Sequence, residues 1–157
     1  MRALIVYASW FGHNRAVAQR VARSFEERHI TTVCAPISQI AASDVIGCDI
    51  LVLGSYTHTR HASKGIRELI ENIPLHRLQR MAIGLFGVRS PDGDADGIDE
   101  LTRTLEEAGI SPAVAPLRIN LRMPDYIPQR WLEPEIEERI AEFADELLEA
   151  AAAEVMV

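Results

Sequence analysis

Ser9, Trp10, Phe11, Gly12, His13 and Asn14 form a polar turn between an apolar run and a helical repeat. Residues of these types at this spacing suit an anion. Ser9 and Asn14 carry side-chain donors and Gly12 lets the backbone approach closely, while a helix beginning here aims its leading N–H groups and positive dipole end at the same point. A phosphate group is the guest that this chemistry takes. The bland alternative is an ordinary helix cap, for which Ser and Asn are also favoured. No G-x-G-x-x-G follows the first apolar run, and G-x-x-x-x-G-K-[ST] is absent, which turns the argument away from a dinucleotide site and from a nucleotide triphosphatase. A smaller phosphorylated ligand remains, or none.

Two further polar segments follow apolar runs, "SYTHTRHAS" (Ser55–Ser63) and "GVRSPDGDADG" (Gly87–Gly97). The first offers Ser55, Tyr56, Thr57 and His58, and the second offers Gly87, Val88, Arg89 and Ser90 as backbone donors. His58 and His61 supply two metal ligands at best, and no Cys, Asp or Glu beside them in the sequence completes a zinc-like set, so we expect polar lining or solvent exposure and no metal. No G-x-S-x-G motif marks a nucleophile, and no catalytic residue is expected. Cys34 and Cys48 lack metal-like spacing and lie in or beside apolar segments, as buried free thiols do.

The elements that must hold these segments alternate along the chain. Runs rich in Val, Ile and Leu at Ala3–Ala8, Thr32–Ala35, Ile50–Gly54, Met81–Val88 and Val114–Ile119 are short enough for strands buried on both faces. Between them lie helical stripes: Val17, Val21 and Phe25; then Ile66, Leu69, Ile70 and Ile73, ended by Pro74. Ile98, Leu101, Leu105 and Ala108 form a third, stopped by Gly109 as a C-terminal cap, and Ile136, Ile140, Phe143 and Leu147 form a fourth. Ser38–Gly47 is ambiguous and reads as a short, poorly formed helix, while Asn120–Pro134, with three prolines, Tyr126 and Trp131, reads as a long connection. Strands alternating with helices predict a parallel sheet covered on both faces, an α/β domain in three layers over residues 1–157. Ligands of such sheets bind beyond the carboxyl ends of the strands, so the loops after the first, third and fourth should converge on one site.

Composition narrows the class. Hydrophobic residues make up 48% of the chain, enough for a core, and no apolar run reaches membrane-spanning length. Met1-Arg2 leads straight into a strand with no secretory leader, so the expected location is the cytoplasm. A net charge of −7 argues against nucleic acid and suits docking onto basic partners. Acid gathers at Asp92, Asp94, Asp96, Asp99 and Glu100 and along Glu135–Glu149; carboxylates favour helix N-termini and solvated faces, yet the first cluster lies at the ligand end of the expected sheet.

"LIVYASWFGHNRAVAQRVA" and "CDILVLGSYTHTRHASKGIRELIENI", with "MAIGLFGV" and "TRTLEEAGI", resemble the flavodoxin family over nearly the whole chain. The resemblance implies a doubly wound five-stranded parallel sheet in the order 2-1-3-4-5, with FMN as cofactor, its phosphate in the first loop and its isoalloxazine ring between the next two. The family's phosphate loop is T/S-x-T/S-G-x-T; here Ser9 and Gly12 are kept, while Phe11 replaces the middle hydroxyl residue and Asn14 the final Thr. One hydroxyl donor is lost and an amide stands where another was. Tyr56 is the aromatic available to stack on the ring, the third loop offers none after Phe86, and Trp10 is either a ring contact or a partner-facing surface residue. The function implied is electron transfer between redox proteins that present basic docking faces. Two alternatives stand beside it: a small FMN-dependent oxidoreductase, similar to the protoporphyrinogen oxidases and quinone reductases of this fold, or a flavin-free binding module.

Overall fold

The computed structural model describes residues 1–9, 12–58, 61–89, 97–120 and 133–155. Its apolar runs are strands and its periodic stretches are helices. In chain order these are β1 (Arg2–Tyr7), α1 (His13–Glu27), β2 (Thr31–Pro36), β3 (Ile50–Gly54), β4 (Thr57–His58), β5 (His61–Ala62), α2 (Lys64–Asn72), α3 (Leu75–Leu78), β6 (Ala82–Arg89), α4 (Gly97–Glu107), β7 (Leu117–Asn120) and α5 (Pro134–Val155). Five of the strands form one parallel sheet in the order β2-β1-β3-β6-β7. With β6 and β7 as its fourth and fifth strands, this is the 2-1-3-4-5 order that the resemblance implies.

Alternation along each strand divides the core into two layers. Ala3, Ile5 and Tyr7 of β1, Ile50 and Val52 of β3, and Ala82 and Phe86 of β6 turn toward α1 and α5, where Val17, Val21, Phe25, Ile140, Phe143 and Leu147 meet them. Leu4 and Val6, Leu51 and Leu53, and Ile83 and Leu85 point to the opposite face, under Ile66, Leu69 and Ile70 of α2 and Ile98, Leu101 and Leu105 of α4. A side-chain period of two makes this division unavoidable once the sheet is covered on both sides.

Gly54 fits this packing because Phe86 lies directly across the ladder from it, and a Cβ there would come within 2.0 Å of the buried phenyl ring. Gly54→Ala therefore drives the ring out of its place in a filled core, at an expected cost of about 1–3 kcal/mol. Urea unfolding followed by circular dichroism measures it. A midpoint equal to that of the parent would show that the ring moves aside freely.

Gly109 does end the third helical stripe. It has φ +80°, and the amides of Gly109 and Ile110 return to the carbonyls of Glu106 and Leu105 at 2.9 Å. The pattern satisfies carbonyls that the end of α4 would leave open. The stretch Ser38–Gly47 holds two short 3₁₀ turns, Ile37–Gln39 and Ala42–Val45, and no longer helix. The fifth strand starts at Leu117 and not at Val114, since Pro116 has no N–H to donate to a ladder. Among the described residues no helix is long and apolar enough to cross a membrane.

Candidate functional site

The carboxyl ends of β1, β3 and β6 are joined by backbone bonds: Ala8 N–H donates to the Gly54 carbonyl at 2.9 Å, and Ser55 N–H donates to the Phe86 carbonyl at 3.1 Å. The segments after β1 and β3 therefore start side by side, next to the last residues of β6. The packing is close, for a Cβ on Gly87 would fall 3.0 Å from the Ser55 carbonyl oxygen.

Gly12 stands immediately before α1, with φ +84° and ψ −1°. This left-handed backbone suits glycine and strains any residue that carries a Cβ. Among the described residues, its chain neighbours aside, a Cβ built on Gly12 would nevertheless meet no atom within 4 Å. No described residue beyond those neighbours therefore closes over Gly12 at the head of the helix. Ser9 Oγ accepts the Gly12 N–H at 3.0 Å, which places the hydroxyl at the same mouth with its own proton still to give. The helical ladder opens with Ala16 N–H to the Gly12 carbonyl, so the amides of residues 13 to 15 lie ahead of it. Helix dipole, leading amides and hydroxyl together make a cradle for an anion.

Asn14 occupies a different place from the one its sequence position suggests. It is buried, its amide donates to the Ala8 carbonyl at 2.9 Å, and its carbonyl oxygen accepts the Val88 N–H at 3.1 Å. The side chain braces the end of β1 to the end of β6 from beneath the turn. Where the sequence suggests an amide replacing a lost phosphate donor, the structure has a strut with one amide hydrogen and the carbonyl oxygen engaged. His13, beside it, is buried as well.

The segment after β3 is also built in. Ser55, fully buried, donates through Oγ to the Tyr56 carbonyl and accepts the Ser63 N–H, both at 2.8 Å, closing the segment onto the start of α2. Tyr56 is half-buried against the core layer under α2 and α4. Thr57 and His58 form β4, which pairs antiparallel with His61 and Ala62 of β5; His58 lies opposite His61, and both are exposed. Thr57 Oγ1 accepts the Gly97 N–H at 2.8 Å, fastening this ladder to α4.

Gly87, Val88 and Arg89 belong to β6, not to a loop. They pair with Arg118, Ile119 and Asn120 of β7; Gly87 and Val88 close the expected fourth strand, and the ladder runs one residue further, to Arg89. The Val88 N–H is moreover engaged by Asn14, so the expectation of loop donors at these positions meets strand backbone instead. Trp10, Phe11 and Ser90, with Asp92, Asp94 and Asp96, lie outside the described residues, as do Tyr126 and Trp131.

Two acids of the sequence cluster are paired within the chain. Asp99 bonds Arg118, and Glu100 contacts both His61 and Arg67. They are therefore poor carriers of a free docking charge. Among the described residues no group of three or more His, Cys, Asp or Glu is arranged to hold a metal ion. Cys34 and Cys48 are free and half-buried; burial, reinforced by Glu26, pushes the Cys34 thiol up to about 11, and burial raises Cys48 also. Both thiols stay protonated, and unreactive as nucleophiles, near neutral pH.

Solved structures share this architecture. A short-chain flavodoxin associated with a non-canonical PDU bacterial microcompartment superposes with a TM-score of 0.76 at 22% identity, covering 96% of this chain and 99% of its own. Oxidised flavodoxin 2 from Bacillus cereus gives 0.77 at 22% identity, over 95% and 99%. Rubredoxin oxygen:oxidoreductase from Desulfovibrio gigas gives 0.81 at 17% identity over 99% of this chain, which spans only 37% of that larger protein. No protein-family model and no curated protein matches the sequence. At these identities the likeness establishes the fold, which is flavodoxin-like.

Proposed function

We propose that the chain binds FMN beyond the carboxyl ends of β1, β3 and β6 and carries electrons between redox proteins. The observation that supports this most is Gly12, left-handed at the head of α1 with no described residue but its chain neighbours within 4 Å of where a Cβ would stand, and with the Ser9 hydroxyl held beside it. The donor set fits a phosphate monoester. Ser9 Oγ–H, the Gly12 turn and the leading amides of α1 would hold the phosphate, and Asn14 would keep that turn in register with β6. Tyr56, the aromatic on the segment after β3, would cover a face of the ring, with Ser55 and Thr57 fixing the backbone around it.

A bound flavin supplies the redox chemistry, in one-electron or two-electron steps. The protein's part is to fix the ring, limit water at its faces and set the local charge. The free thiols suit a reducing compartment, and the location we propose is the cytoplasm. A net charge of −7 and the exposed carboxylates Glu135, Glu138, Glu142, Glu146 and Glu149 on α5 favour partners with basic docking faces.

Titration of the purified, flavin-free protein with FMN and with riboflavin tests this reading. FMN is expected to bind at least about tenfold more tightly, because charge-assisted bonds to the phosphate contribute about 1.5–3 kcal/mol each and riboflavin makes none of them. Equal affinities would remove the phosphate role from Ser9 and Gly12. Unchanged visible absorption after FMN addition would make the chain a flavin-free module.

A further inference from the structure

The carboxylate of Glu100 lies where three elements meet, in the first turn of α4. Its Oε2 is 2.5 Å from Nδ1 of His61 on β5, and its Oε1 is 3.3 Å from Nε of Arg67 on α2. The second contact is an ion pair without a hydrogen bond, for the Arg67 Nε–H is given to the Ala62 carbonyl, also at 3.3 Å. Oε1 is thus buried, facing a cation, yet accepts no hydrogen bond among the described residues. A carboxylate held in this way is costly to bury unless the charges around it are tied to its position.

The same joint is fastened at two more points. Gly97 N–H bonds Thr57 Oγ1 at 2.8 Å, and a Cβ on Gly97 would approach the Ala62 Cα to 2.9 Å and its nitrogen to 3.0 Å. The ladder of β4 and β5 therefore lies flush on the first turn of α4. With two residues in each strand it has almost no pairing of its own, and isolated ladders of this size are unstable in water.

We propose that Glu100 is a positioning residue, holding the β4–β5 ladder against α4 through His61 and Arg67 and thereby fixing the backbone that carries Tyr56. The consequence for ligand binding rests on the flavin reading; the mechanical part does not. Arg67 and His61 reach the carboxylate from different elements, so removing it cuts a polar link from α4 to α2 and to β5 at once. Among the described residues the carboxylate's polar contacts are to His61 and Arg67 and not to the phosphate turn, so its loss should act on ring binding alone.

Amide hydrogen exchange on the flavin-free protein tests the mechanical part. In Glu100→Ala, peptides covering β4 and β5 should exchange about three- to tenfold faster while those of β1 and β3 stay unchanged, since a lost charged hydrogen bond opens the segment locally. Glu100→Ala combined with His61→Ala should add little to Glu100→Ala alone. Unchanged exchange in β4 and β5, or equal acceleration throughout the sheet, would overturn the proposal. Flavin titration of the same variant gives a separate readout: FMN and riboflavin should weaken by the same factor, with a shifted visible flavin spectrum, and a selective loss of FMN would overturn the assignment to the ring side. If the parent protein binds no flavin at all, the functional reading fails while the exchange result still decides the role of Glu100.

Discussion

Asn14→Ala is expected to lower the unfolding free energy by about 2–4 kcal/mol, among the largest losses any single polar substitution in this chain should produce. The side chain satisfies two buried backbone groups at once, the Ala8 carbonyl at 2.9 Å and the Val88 N–H at 3.1 Å. Alanine removes both partners and offers nothing in their place. Each buried group left unsatisfied costs about 1–3 kcal/mol, and the two lie at the ends of β1 and β6, the strands on either side of β3. Urea unfolding monitored by far-ultraviolet circular dichroism gives the value. A loss below about 0.5 kcal/mol would mean that water enters and replaces both bonds, and that the brace contributes little.

Asn14 also shows where reading the sequence stops. Two residues after Gly12, at the start of a helix, an amide has the spacing of a donor to whatever the turn holds. Its actual partner, Val88, is 74 positions away, and only the stacking of β1, β3 and β6 brings that N–H within reach. The sheet itself was legible because β1, β3 and β6 are apolar on both faces and separated by helical stripes, a pattern that few other arrangements satisfy. Its order was not, since periodicity fixes which side each residue faces but not which strand lies beside which; that came from the resemblance. β4 and β5 were hidden because two-residue strands have no period to detect. Glu100 was visible only as one more carboxylate at a helix start, and its joint with Arg67 and His61 exists only once α2, α4 and β5 are packed. The end of β6 was missed by a residue because Arg89 is neither apolar nor a turn former, and its pairing with Asn120 depends on β7.

For the phosphate turn, Gly12→Val should weaken FMN binding by about tenfold or more beyond any effect on riboflavin, whereas Ser9→Ala should cost less. The two substitutions act differently. At φ +84° a residue with a Cβ pays about 1–2 kcal/mol of backbone strain, more when branched, so valine will pull the turn away from its present shape. Among the described residues, its chain neighbours aside, no atom lies within 4 Å of the position its Cβ would take, so no clash with the core contributes; the methyl groups enter the space that we assign to the phosphate. Alanine at Ser9 removes one hydroxyl, the acceptor of the Gly12 N–H, and leaves the backbone path open. Gly12→Ala separates strain from bulk, since it shares the backbone penalty but adds no branch, and should fall between the parent and the valine variant. Titration with FMN and riboflavin, with urea unfolding in parallel, compares all three. A folded Gly12→Val protein that retains the parent's preference for FMN would place the phosphate away from Gly12 and leave the turn a plain helix start.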